Sequence, residues 1–169
     1  LYDLSLQIPQ LNYSKDQNTK ANLDFHIKGT KKGYDINRLI YSSEKSKIEL
    51  DKIEINKKFE ISDIRNIKVK TLSNNIRNND FHIGKHLIEK NTLLIKGELF
   101  DVEPLLKSIY KSGDKKIFSK DFNNEIKANL DKIITGTNDN VSNFGMIASI
   151  KKGSYNKLSL KGNFSENEI

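Results

Sequence analysis

Ala21, Asn22, Leu23, Asp24, Phe25, His26, Ile27, Lys28 and Gly29 alternate apolar and polar along their whole length. A period of two puts Ala21, Leu23, Phe25 and Ile27 on one side of an extended backbone and Asn22, Asp24, His26 and Lys28 on the other. Gly29 closes the run, and a turn is expected at Lys31–Gly33. The same pattern recurs on both sides. Upstream, Tyr2, Leu4, Leu6 and Ile8 alternate until Pro9 stops them, and a polar linker follows from Asn12 to Lys20. Downstream, Tyr34, Ile36 and Leu39–Tyr41 precede a turn at Ser42–Ser46. Ile48 and Leu50 are then followed out of phase by Ile53 and Ile55, which predicts a β-bulge or tight turn near Asp51 and Lys52.

Short strands are predicted at Phe59–Ile61 and Ile67–Thr71, a loop over the Asn-rich Thr71–Asp80, and a strand over Thr92–Leu99 that breaks or ends near Gly97. The C-terminal third reads as a meander: Ile126, Ala128 and Leu130, then Val141 to Ile150, then Tyr155 to Phe164. Lys-Gly pairs at Lys28, Lys96 and Lys161 each follow an alternating strand, and Ala21–Asp24 matches Ala128–Asp131 in sequence, so repeated hairpins are expected. One segment differs. Val102, Leu105, Leu106, Ile109 and Tyr110 fall on one helical stripe, with Asp101 placed to cap it, Glu103 in its first turn and Gly113 after it. The expected fold is mainly β: a curved antiparallel sheet, or open trough, of repeated hairpins with one short helix, all within one domain spanning 1–169.

The composition narrows the chemistry. There is no cysteine, hence no disulfide, thiolate nucleophile or cysteine-held zinc. The net charge of +7 is carried by Lys, with Arg only at positions 38, 65 and 77. Arg is the better phosphate and base reader, and Lys, Asn and Ile abundant together suit an AT-rich coding bias, so nucleic acid is not the expected partner. Tyr34, Phe81 and Phe118 lie near basic residues, but Tyr2 and Phe25 are in phase with Leu and Ile, as wall or core residues are. His82 and His86, with Asp80 nearby, are four apart around Gly84 and do not make a metal-binding helix motif. The acidic pairs Glu49/Asp51 and Asp131/Asp139 are those that alternating strands place on solvent faces. No phosphate-binding glycine loop or nucleophile elbow is present, and neither an enzyme nor a cofactor is expected.

The stretch Leu93-Leu-Ile-Lys-Gly-Glu-Leu-Phe-Asp-Val-Glu-Pro-Leu-Leu106 resembles a recurring element of the AsmA-like superfamily of envelope proteins, of the YhdP and TamB type. There a strand ends in Gly, and a Phe-Asp pair opens a short helix with paired Leu; the matching positions are Gly97, Phe100, Asp101, Leu105 and Leu106. The resemblance extends over Ile64–Phe164, and departs from the family in having Lys and Asn where Ala, Gly and Arg are common. It implies a section of a larger protein, an expectation that the first residue, Leu1, also suggests. It further implies a periplasmic location with an inner-membrane anchor outside this segment, and phospholipid acyl chains as partners in transport between the two membranes.

On that reading Leu23, Phe25, Ile27, Leu94, Ala128, Leu130, Met146, Ala148, Leu158 and Leu160 form the lipid-facing groove, and Leu105, Leu106 and Ile109 the helix lid. The rival reading is a structural or interaction β-domain with a closed core.

Overall fold

The structure, a computed structural model, describes residues 5–15, 17–73, 76–112, 117–136 and 139–164, with the backbone alone at residues 73, 76, 77 and 108–112. β1 (Leu6–Ile8), a 3-10 turn at Pro9–Leu11 and β2 (Tyr13–Lys15) form a small antiparallel pair. Six long strands follow: β3 (Ala21–Gly29), β4 (Gly33–Ser43), β5 (Lys47–Asn56), β6 (Ile61–Ser73), β7 (Ile76–Lys85) and β8 (Thr92–Asp101). Helix α1 (Glu103–Ser112) leads to β9 (Asn124–Ile134), β10 (Asn140–Lys151) and β11 (Ser154–Phe164). Strands β3 to β11 make one nine-stranded sheet in the order β11-β10-β9-β8-β7-β6-β5-β4-β3, which is not closed into a barrel.

The mainly β fold with one short helix is as the alternation predicts; the sheet, however, is mixed rather than wholly antiparallel. β8 and β9 are parallel, with Thr92 opposite Glu125 and Asp101 opposite Ile134. The cause is α1: it interrupts the hairpin series, and the chain crosses back so that β9 enters at the end where β8 began. Asp101 Oδ1 accepts the Glu103 N–H at 3.1 Å, the capping that the sequence predicts.

Apolar residues stay on one face although the chain leaves period two at several points. In β4, β5 and β6 the spacing lengthens to three between Ile36 and Leu39, Leu50 and Ile53, and Ile64 and Ile67. The pairings Ile36–Ile53–Ile64 and Leu39–Leu50–Ile67 flank the irregularity, so the extra residues Asn37, Lys52 and Arg65 lie side by side. Lys52 takes it up with a left-handed φ of 52°. A second such line crosses β8, β9 and β10 at Glu98, Asp131 and Asn143, where Asn143 has φ 51°. Each line ends on a neighbour lacking the extra residue, as a register shift at His26/Ile27 of β3 and at Asp80/Phe81 of β7.

The observed strand bounds and pairings correct several sequence expectations. The separate strands at Phe59–Ile61 and Ile67–Thr71 are one strand, β6, and Phe59 is an exposed turn residue. β8 does not break at Gly97 but runs through it to Asp101. The loop over Thr71–Asp80 is the β6–β7 hairpin, with residues 74–75 outside the described set. The Asn12–Lys20 linker also contains β2, and Tyr2 and Leu4 of the first predicted strand lie outside the described residues.

Gly97 is required by close approach. A Cβ there would stand 2.2 Å from Asp80 O and 2.6 Å from Phe81 Cα, at the register shift itself. Gly97→Ala is therefore expected to lower unfolding free energy by about 2 kcal/mol or more, the scale of overpacking a rigid site. Lys52→Gly is expected to raise it by about 1 kcal/mol by relieving the left-handed backbone. Urea denaturation of both variants measures the two effects, and a neutral Gly97→Ala would contradict this account of the bulge.

Candidate functional site

The matched irregularities bring one apolar residue from every strand of the large sheet into a single row. It runs Phe25, Leu39, Leu50, Ile67, Ile83, Ile95, Ala128, Met146, Leu160, each paired with the next. A second row, Leu23–Tyr41–Ile48–Val69–Phe81, lies above it. Below it, Ile27–Ile36–Ile53–Ile64 on one side faces Leu93–Ile126–Ala148–Leu158 on the other.

The two ends of this face are covered. At the upper end, Leu6, Ile8, Leu11 and the buried Tyr13 pack against Tyr41, Val69, Phe81 and Ile133. The Tyr13 and Tyr41 hydroxyls are 2.6 Å apart, and burial, then this hydrogen bond, holds the Tyr41 phenol well above the usual tyrosine range. At the lower end, Phe118 and Phe122 stack at 4.2 Å and pack with Ile64, Leu93 and Ala148. Backbone hydrogen bonds hold this segment to β6 at Ile61 and to the β10–β11 turn at Gly153. The central row is only half-buried over most of its length, and its edge members Phe25 and Leu160 are 60% and 58% exposed.

A buried polar network fastens the upper cover. Asn78 Nδ2 donates to the carbonyls of Leu11 (3.0 Å) and Asn12 (2.7 Å), and Asn79 Nδ2 to Leu11 O (2.7 Å) and Thr71 Oγ1 (3.1 Å). The Asp101 N–H donates to Asn79 Oδ1 at 3.1 Å, and Asn12 Nδ2 to Asp101 Oδ2 at 2.9 Å. Among the described residues, no fully buried side-chain polar atom lacks a partner, which is what makes polar groups tolerable at an apolar cluster.

Of the residues expected to line a groove, Leu23, Phe25, Ile27, Ala128, Leu130, Met146, Ala148, Leu158 and Leu160 share this face. Leu94 does not. It pairs with Gly84 and Lys127, while its neighbours Leu93 and Ile95 pack on the apolar clusters, so alternation turns Leu94 to the polar face. Ala148 is fully buried and Leu130 nearly so; they are core, not wall. Of the expected lid, Leu105 is half-buried and Leu106 is exposed, and the side chain of Ile109 lies outside the described residues; Val102, just before the helix, packs on the upper cluster. The sequence reading omitted the central members Leu39, Leu50, Ile67, Ile83 and Ile95, whose in-phase spacing within each strand was the available signal.

The opposite face is polar. Glu49, Lys68, His82 and Lys96 form a row across β5 to β8, in a shallow depression of about 480 Å3. His82 Nε2 and Asn66 Oδ1 are 2.6 Å apart, whereas His86 Nδ1 accepts the N–H groups of Ile88 and Glu89. The two histidines thus serve different local structures. Among the described residues, no three His, Asp or Glu side chains are grouped as metal ligands. Glu49 meets Lys47 at 2.6 Å, and Asp131 stands exposed at the second irregularity. No described helix is long and apolar enough to cross a membrane. No protein-family model matches the chain, and neither a curated protein nor a solved structure matches it.

Asn79→Ala removes three side-chain hydrogen bonds, to Leu11, Thr71 and Asp101, and is expected to cost about 3 kcal/mol. Hydrogen exchange should quicken over residues 9–15, and unchanged protection there would show that the network does not hold the cover. Burial, then the charges of Lys68 and Lys96, holds the His82 pKa below 6.5. A depressed folded value means that its contribution to stability is present above the unfolded pKa and lost as pH falls through the folded one. NMR titration should place its midpoint below 6.5 and move it upward in Lys96→Gln.

Proposed function

We propose that this chain is a non-catalytic binding section of an AsmA-like envelope protein, whose apolar sheet face carries phospholipid acyl chains between the inner and outer membranes. The observation that carries this reading is the apolar row that crosses the whole sheet without a polar interruption and remains half-open along its middle. An acyl chain needs a continuous apolar surface and no fixed polar partners, and a monomer seldom leaves such a surface uncovered without use. The resemblance over Leu93–Leu106 supplies the envelope setting: a periplasmic section anchored to the inner membrane through parts of the parent outside this segment.

A photo-crosslinking residue at Phe25, Met146, Leu94 or Asp24, in the full-length protein in cells, tests this. Phospholipid adducts are expected at Phe25 and Met146. Leu94 and Asp24, on the polar face, should give none. If all four positions stay free of lipid in folded, abundant protein, the face is a core or protein-interaction surface, and the transport reading fails.

A further inference from the structure

Among the described residues, the sheet ends in two unpaired edge strands, β3 and β11. Both are long strands, exposed over nearly their whole length. An edge of this kind presents unpaired N–H and C=O groups and invites another strand. Natural edges are usually short, bulged outward or guarded by inward-pointing charge. Here the inward positions are Leu23, Phe25 and Ile27 on one edge and Leu158 and Leu160 on the other.

The parallel β8–β9 pair has a consequence for these edges. Nine strands paired antiparallel throughout would leave the first and last pointing the same way. One parallel pair reverses that, so β3 and β11 run in opposite directions. A second copy shifted sideways along the sheet therefore meets β11 with its β3 in antiparallel orientation, the same apolar face up. The rows fix the register. Leu160 and Phe25 end the central row, so they fall opposite each other, which sets Leu158 against Ile27 and Gly162 against Leu23. On the polar face the same register sets Lys161 against Asp24 and Ser159 against His26. Pairing β11 with a second β11 about Ser159 would instead set Lys157 against Lys161, like charge against like.

We infer that copies of this chain associate head to tail, β11 of one adding to β3 of the next, with Leu160 opposite Phe25 and Lys161 opposite Asp24. The contact continues the apolar row across copies, and it is independent of whether that row carries lipid. Asp24 already meets Arg38 at 3.2 Å in the open, so its charge selects register rather than supplying affinity. Burial of the edge apolar residues and the backbone ladder supply that.

Complementation tests the inference. By sedimentation, the wild-type chain should gain mass with concentration. Phe25→Lys spoils the β3 edge and Leu160→Lys the β11 edge; both sites are exposed, so folding survives, as circular dichroism will verify. Each variant alone should be monomeric. Their equimolar mixture should form a heterodimer and stop there, because one good β11 and one good β3 remain. A wild-type chain that stays monomeric to its solubility limit, a single variant that still associates, or a mixture that does not, overturns the inference. Because the chain lacks cysteine, Asp24→Cys mixed with Lys161→Cys gives a second measure. The mixed disulfide should exceed both homodimers, and dominance of either homodimer counts against the head-to-tail register.

Discussion

One apolar face must remain one face across the whole sheet, and this constraint governs the structure. A side chain that slips by one residue moves to the other side of the strand. An inserted residue in a single strand would turn every later apolar side chain of that strand outward. The chain meets the constraint by placing insertions next to one another: Asn37, Lys52 and Arg65 in one line, Glu98, Asp131 and Asn143 in another. Neighbouring strands change phase together, and the ladder stays bonded on both sides. The inserted residues are polar or charged. Two of them, Lys52 and Asn143, adopt the left-handed backbone that the insertion demands.

Covers at the two ends follow from the same constraint. A nine-stranded single layer cannot bury its apolar face by itself. The N-terminal strands and the segment around Phe118 and Phe122 each bury one end, and they are fastened by different means. The lower cover is held by backbone hydrogen bonds and stacked rings. The upper is held by amide side chains of β7 that reach the carbonyls of Leu11 and Asn12, with Asp101 serving both as helix cap and as partner to Asn12. The middle, left with neither, is the half-open strip on which the proposed function rests.

How much of this was legible depends on how local its cause is. β3, the capped helix and the C-terminal meander are written in adjacent residues, and they stand where the alternation and the Asp101 cap put them. The phase change at Lys52 was visible as Leu50 followed by Ile53. The single strand β6 reads as two, because Ile61, Ile64 and Ile67 stand three apart, and such intervals look like a strand end when the partner strands are unknown. β2 escaped notice because its burial comes from Tyr41 and its fastening from Asn78 and Asn79, all distant in sequence. Leu93, Leu94 and Ile95 are all apolar, so no local pattern says which of them faces the core; pairing with Gly84 and Lys127 decides it.

The crossover between β8 and β9 also divides the chain by the cost of forming contacts. β3 to β8 form a succession of hairpins, each closed by a short turn, and β9 to β11 form another. Joining these meanders requires Thr92 to find Glu125 across the helix and its flanking segments. Closing a long loop before any contact repays it is entropically the slowest kind of step. The two halves therefore hold most of their hydrogen-bonded ladder locally, and the parallel seam that unites them is the longest-range strand pairing of the large sheet.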